Sequence, residues 1–488
     1  MPESAPTENL SVIGGVQPAR PLGIGIDFGT SNSVAAIYDG RNVTMVPLER
    51  SGPIMPSASF IDRQFVTSTG QDAIELYIES NTGRRVEFSA EYLGDASTGS
   101  IDELSQHQQE TETEKVFGQP FNDAGAKGRL FRGTKRLLGD KASERLMVFD
   151  RPFRLVALIT PILVRIRQSI QASLRKITGK ALPGNHASLG RPVNFEGREA
   201  DHNDIAVQRL GESYRHAGVS DQSYYPEPVA AALSYLTANP EAPCRTVLTV
   251  DFGGGTLDFC LLRKSADGFE VLATHGIGLG GDHLDQAVFR ALIFPLLGKG
   301  ESWRRRGDGV DIETPFPFFE YEDLLTNWAV SYLLNQNRYT TPVMNRMEQG
   351  DEGATKFKRL YEVITQNHSY LIIQEIKNLK ARLSREDSAI LDIPEIDVEL
   401  EITRDQFESI IAPKLQQFEQ SIQAALDVAG INAEEVDLVL RTGGSCLIPA
   451  VINILERRFP GKVVEHDPFT GVAVGLAIAD YFGLGQPA

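Results

Sequence analysis

The sequence predicts a mixed α/β protein of two similar lobes, each a mixed sheet with helices and an inserted subdomain. Three observations carry that expectation. A strand, a D-F-G turn, a second strand, a further turn and a third strand occur twice, in LGIGIDFGTSNSVAAIYDGRNVTMVPL from Leu22 and in TVLTVDFGGGTLDFCLLRKSADGFEVLATHGIGLGGDHL from Thr246. Strand and helix patterns alternate through the rest of the chain, as mixed layers require. The apolar stretch DLVLRT then enters another glycine turn, Gly443-Gly444-Ser445, ahead of a helix pattern. The copies stand too far apart for a solenoid, so the repeat yields two lobes. Lobe I is expected over 22–242 with an insert at about 49–150, and lobe II over 243–484 with an insert at about 282–384, flanked by tails at 1–21 and 485–488.

Each element has a local reason. The first residues are rich in Pro, Ser and Gly and read as a disordered tail. Asp39-Gly40 marks the turn between second and third strands of the first copy, and Asp267-Gly268 does the same in the second. A polar stretch from about Asn81 to Gly128 reads as an insertion. Helices are expected over 150–178 and 203–217, the latter stopped by Gly218. Another begins near 281, and a long amphipathic run covers 355–384. The arginine triplet at 304–306 reads as a solvated loop without assigned function. Thr403 and Gln406 form a capping box for a helix running to Gly430 with a kink at Pro413, and another helix starts near 448.

Composition excludes several classes. The chain has 488 residues, 41% hydrophobic and 23% charged, which suits a globular protein with a large core. Its net charge of −17 at pH 7 repels nucleic acid and anionic membrane, so neither is expected as a partner. Cys244, Cys260 and Cys446 show no metal-ligand spacing, and the latter two read as small core hydrophobes. The acidic N-terminus lacks the basic region of a signal peptide, and the apolar run from Leu155 to Ile166 is short, holds Pro161 and reads as a core helix. A cytosolic location is expected.

The glycine turns carry the chemistry. Glycine after an apolar strand lets backbone N–H groups converge on an anion, and each turn adds carboxylates beside hydroxyls. Asp27 precedes Gly29-Thr30-Ser31-Asn32, while Asp251 and Asp258 flank Gly253-Gly254-Gly255-Thr256. Magnesium keeps several waters and is commonly held by one or two carboxylates and phosphate oxygens, so facing Asp27 and Asp251 suit a magnesium–nucleotide. No Gly-Lys-Ser/Thr follows the third turn, and GIGLGG at 276–281 ends a strand unit rather than opening one, which sets aside a Walker loop and a Rossmann cofactor. No G-x-S-x-G elbow supports a serine hydrolase.

The ordered set IGIDFGTSNS, FRGTKRLLGD, YYPEPVAAALSY, LTVDFGGGTLDF, GLGGDHLD and VLRTGGSCLIP resembles the ATPase domain of the heat-shock protein 70 family, within the actin, hexokinase and chaperone ATPase superfamily. LGRPVNFEG and YYPEPVAAAL look most like the shorter YegD-type subgroup. The resemblance implies a duplicated actin-like ATPase fold binding ATP or ADP with Mg²⁺. It places Gly29, Thr30, Ser31 and Asn32 at a first phosphate loop and Gly253, Gly254, Gly255 and Thr256 at a second. It implies that Asp27, Asp251 and Glu227 organise the magnesium water shell. Lys135 matches a lysine near the γ-phosphate and attacking water, and Asp258 an aspartate placing the same cluster. Gly280 and Gly281 would lie on the phosphate side, with Lys380, Ser384, Gly443, Gly444 and Ser445 around the adenosine. Pro192 matches a position linked to switching between nucleotide states.

The departures cluster on the base side. Leu447 stands where the family has a base-stacking arginine, Lys377 where it has a glutamate, Ala381 where it has a second arginine, and Phe469 where a carboxylate is usual. Altered base affinity or selectivity is therefore expected. The resemblance ends with the last lobe segment, so no peptide-binding domain is expected. The leading expectation is a slow, chaperone-type ATPase switch with client or co-chaperone proteins as partners. A small-molecule kinase of the same superfamily and an actin-like nucleotide-dependent scaffold are the alternatives.

Overall fold

Each D-F-G copy opens a sheet in the computed structural model of this chain, which describes residues 19–487 except 87, 90–91, 99–111, 118–121, 124, 183, 194, 198, 243–244, 266–267, 307–310, 468 and 485. In the first, Gly23–Phe28 pairs antiparallel with Asn32–Tyr38, which pairs antiparallel with Val43–Met45. On its other edge Gly23–Phe28 runs parallel to His186–Arg191, and that strand parallel to Asp221–Pro226. In the second, Thr246–Phe252 pairs antiparallel with Leu257–Ser265, and that strand with Gly268–Ile277. Its other edge runs parallel to Leu438–Thr442, which runs parallel to Val463–Glu465. The two sheets thus share one order, three antiparallel strands followed by two parallel ones. The duplicated mixed α/β architecture expected from the repeat is present.

Helices cover the sheets because each carries an apolar stripe at helical spacing. In Leu155–Thr178, the residues Leu155, Ile159, Ile162 and Ile166 bury against Ile24, Ile26 and Phe28, and Gly179 ends the helix at φ 69°. This helix is long and apolar enough to cross a membrane by length and composition, yet its apolar stripe is spent in that core. His202–His216 stops before Gly218, which adopts φ 90°. The opposite face of the first sheet meets Gly471–Phe482 so closely that a Cβ on Gly25 would lie 2.2 Å from the Ala473 carbonyl oxygen.

Several local expectations are corrected. The first long helix starts at Leu155 rather than 150, because Arg151–Arg154 pairs with Arg145–Val148 as a hairpin. The 355–384 run is two helices, Ala354–Thr365 and Ser369–Leu383, separated where Asn367 turns to φ 56°. The arginine triplet lies in a strand, Ser302–Arg306, paired with Asp311–Pro315. Arg404–Ala429 is the helix expected there and holds Pro413, with the Thr403–Gln406 capping box and Gly430 at φ 66°. Ala19 and Arg20, expected in the tail, donate backbone N–H groups to the Tyr481 carbonyl, and Arg20 pairs with Asp221 and Asp480. Gln486–Pro487, also expected in a tail, pairs with Asp221–Pro226. Residues 1–18 and the Asp267 turn lie outside the described residues, as does Cys244.

The chain forms two compact units, one of Met1–Tyr77, Leu130–Phe294 and Leu371–Ala488, the other of Ile78–Arg129 and Pro295–Tyr370. The first holds both sheets. The second has an aromatic core in which Phe316 meets Phe357 edge-on at 4.6 Å and Trp303 at 5.4 Å between ring centroids. Buried Arg346 organises one side of it, pairing with Asp351 at 2.8 Å, donating to the Ser302 carbonyl at 2.6 Å and lying over the Phe357 ring. Arg346→Met keeps the apolar stem but strands these acceptors, with an expected cost of about 3 kcal/mol. Limited proteolysis with mass spectrometry should then show cleavage first within 295–370.

Candidate functional site

The two D-F-G turns close in the same way. Gly29 N–H donates to the Asn32 carbonyl at 3.0 Å, and Gly253 N–H donates to the Thr256 carbonyl at 3.0 Å. In each, an aspartate sits two residues before the closing glycine, at the end of the central strand of its sheet. The turns approach one another: a Cβ on Gly254 would lie 3.0 Å from Ser31 Oγ. Gly255 faces open space, with nothing within 4 Å of its Cβ position. The third turn joins them, since Gly443 at φ 81° lies so close to the second strand that a Cβ would meet the Phe252 carbonyl oxygen at 2.4 Å and Asp251 Oδ1 at 2.7 Å. Only glycine combines that φ with that approach. Asp27 and Asp251, with Asp258 beside them, therefore form one cluster beside the glycine turns.

Lys135 enters this cluster from a short 3₁₀ turn, Thr134–Leu137. Gly133 supplies the left-handed residue that starts the turn, at φ 65°. The lysine is only 7% exposed, and its Nζ donates to Glu227 Oε1 at 2.6 Å. Glu227 is the first residue of the helix Glu227–Ala238, behind Pro226, so the proline pair that reads as a turn is a helix start. Burial works against the Lys135 charge, but Glu227, Asp27 and Asp251 outweigh it and raise its pKa. A permanently charged ammonium is thus fixed among acids.

The acids outnumber it. Burial, then the Glu227 charge, pushes the Asp27 carboxyl up to about 7 against the pull of Lys135. Burial, Asp258 and Glu227 push Asp251 up to about 7 as well. Burial raises Asp258, offset in part by the Thr256 hydroxyl. Carboxylates held this way favour an added cation. Among the described residues no three acidic, imidazole or thiol side chains converge tightly enough to ligate a metal directly. Asp27, Asp251 and Glu227, the acids that the resemblance places at a magnesium water shell, thus lie in one acidic cluster around Lys135.

A pH signature follows. Raised carboxyl pKa values mean that the folded chain binds more protons than the unfolded one between pH 4 and 7, so stability falls as pH rises through that window. Asp27→Asn removes one contributor. The variant should melt about 2 °C above wild type at pH 8 and level with it at pH 4, measured by thermal denaturation without metal.

The remaining predicted residues divide. Gly281 and Asp282 N–H groups donate to the Gly253 and Gly254 carbonyls at 2.9 and 2.8 Å, and Gly280 N–H donates to His283 Nδ1 at 3.0 Å. Gly280 and Gly281 thus brace the second turn, with their amides already engaged. Lys380 pairs with buried Asp285 at 2.6 Å and donates to the Gly281 carbonyl at 3.2 Å. Ser384 Oγ bonds back to the Lys380 carbonyl at 2.9 Å. Ser445 is buried, its hydroxyl 3.4 Å from the Gly253 carbonyl oxygen, and a Cβ on Gly281 would lie 2.7 Å from that hydroxyl. Pro192 directly follows the His186–Arg191 strand, whose Arg191 pairs with Pro226 next to Glu227.

Sequence reasoning did not assign Asp282, Asp285 or Thr442 a role. Lys377, which stands in place of an acid, pairs with Asp282 at 2.9 Å, so the two lysines of one helix meet the two aspartates of another. The Asp282–Asp285 spacing in GLGGDHLD was the available signal, but only the fold brings the lysines to it. The Thr442 hydroxyl donates to the Val250 carbonyl at 3.4 Å, one residue before the Gly443-Gly444 pair.

Known proteins share this pattern. The model of the family described as Hsp70 protein matches residues 201–296 and 354–481, which hold Glu227, the second turn and the third. The chain is 23% identical over 479 residues to the mitochondrial heat shock 70 kDa protein of Pisum sativum, covering 94% of this chain and 56% of the relative. It is 25% identical over 482 residues to the mitochondrial heat shock 70 kDa protein of Solanum tuberosum, covering 94% and 55%. Chaperone protein dnaK1 of Synechocystis is 24% identical over 466 residues, covering 93% and 53%. The chain spans about half the length of the curated relatives it matches. The duplicated sheets and the paired D-F-G turns thus stand in a chain that is similar to Hsp70 proteins.

Proposed function

We propose that this chain binds magnesium–ATP between its glycine turns and hydrolyses it slowly to ADP and phosphate, as a chaperone-like conformational switch. One observation carries the reading: the two turns and the third meet around a buried Lys135–Glu227 pair set among three raised carboxylates. Turn amides of Thr30 to Asn32 and Gly254 to Thr256 suit the phosphate chain. The bound magnesium would neutralise charge on the phosphates. Lys135, held charged and oriented by Glu227, faces the terminal phosphate and the incoming water. As the water oxygen bonds to the γ-phosphorus, the bridging P–O bond to ADP breaks and a proton is released. Positioning and a fixed cation do most of the work in such a transfer. Ser445, Gly443, Gly444, Lys380 and Ser384 line the nucleoside side.

Partners in this reading are client or co-chaperone proteins, with nucleic acid and anionic membrane disfavoured by the charge of −17. Buried free thiols at Cys260 and Cys446 suit a reducing compartment such as the cytosol. The test is steady-state ATP hydrolysis in magnesium for wild type, Lys135→Ala and Asp251→Ala. Wild-type turnover that both variants lose supports the reading; variants that match wild type overturn it.

A further inference from the structure

On the nucleoside side both lysines are engaged. Lys377 and Lys380 are each held by an aspartate, at 2.9 and 2.6 Å, and the residue after the third turn is the aliphatic Leu447. A large aromatic face stands beside it instead. Phe469 is 45% exposed, and among the described residues no ring or cation faces it. Its ring edge lies over Gly444, with Cζ and Cε1 at 3.0 and 3.1 Å from a Cβ built there. Gly444 precedes Ser445, which in turn adjoins Gly281 and Lys380. Ring, glycine turn and lysine helix are therefore continuous.

The ring is also held. Asp467 Oδ1 accepts from the backbone N–H groups of Phe469 and Thr470 at 3.0 and 3.1 Å, and the Thr470 hydroxyl donates to Asp467 Oδ2. An apolar ring of this size gains nothing from water, whereas a planar heteroaromatic base offers it a stacking partner.

Resting on the nucleotide-binding reading above, we infer that Phe469 is the base platform of this chain, stacking the nucleobase beside Gly444 and setting base affinity. Aromatic stacking reads the π-face of the base, so the contact depends on planarity and not on hydrophobic volume alone. That separates it from a packing role.

The test measures magnesium–ATP dissociation constants by calorimetry on the full chain. Phe469→Ala and Phe469→Leu should both weaken binding about tenfold, while Phe469→Trp should hold it within about twofold. The added indole of Phe469→Trp should be quenched by ATP, read as the difference from wild type, which already carries Trp303 and Trp328. Wild-type affinity in Phe469→Ala, or rescue by Phe469→Leu, overturns the inference and leaves nucleotide binding standing. A wild-type chain that binds no magnesium–ATP overturns the reading beneath it.

Discussion

Lys135→Ala is expected to lower single-turnover ATP hydrolysis by about 10²–10³-fold, the usual loss when one preorganised charge-stabilising donor is removed from a closed site. Nucleotide affinity should fall far less, because the turn amides and the acidic cluster remain. The lysine is 7% exposed and bonded to Glu227 at 2.6 Å, so its charge is fixed in place before any nucleotide arrives. Lys135→Arg should not restore the rate, since a planar guanidinium cannot occupy the same point beside Glu227. Removing the ammonium leaves Glu227, Asp27 and Asp251 facing one another, so circular dichroism must accompany the kinetics. A folded variant with wild-type turnover would mean that Lys135 serves only to neutralise its neighbours.

Gly475→Ala should cost about 3–5 kcal/mol or prevent folding, measured by urea denaturation. A Cβ at this position would lie 1.8 Å from the Ala230 carbonyl oxygen and 2.5 Å from its carbon. Both obstacles are backbone, so no rotamer relieves the clash. The helices Gly471–Phe482 and Glu227–Ala238 would have to separate, and the second begins with Glu227. A variant that survives at low temperature should therefore also lose the Lys135–Glu227 contact and hydrolytic rate. Unchanged stability would refute the close packing of this helix pair.

Much of the site was legible because its signals are local. Glycine after an apolar strand, repeated with an aspartate two residues earlier, states both a turn and its chemistry within a few residues. The capping box at Thr403 and the glycine stops at Gly218 and Gly430 were legible for the same reason. Local patterns were weaker where two conformations compete. The arginine triplet was read as loop because charge suggests solvent, yet pairing with Asp311–Pro315 satisfies its backbone as a strand. The amphipathic run at 355–384 keeps helical periodicity across Asn367, so only the backbone reversal at φ 56° reveals the break.

Charge pairing lay beyond the sequence. Lys377 reads as a departure on the base side, but its effect depends on Asp282, which a separate helix brings to 2.9 Å. The engaged amides of Gly280 and Gly281 are likewise invisible in GLGGDHLD, because their acceptors belong to the second turn.

The sequence by itself determined the duplication, the two D-F-G turns and the likeness to Hsp70 proteins, because each rests on residues adjacent in the chain. Tertiary structure alone decided that Lys135 meets Glu227, that Asp27 and Asp251 are lifted to about 7, and that Phe469 overlies Gly444. The physical reason is that proton affinity and stacking depend on which groups share a volume with little water, and that volume is assembled from segments hundreds of residues apart.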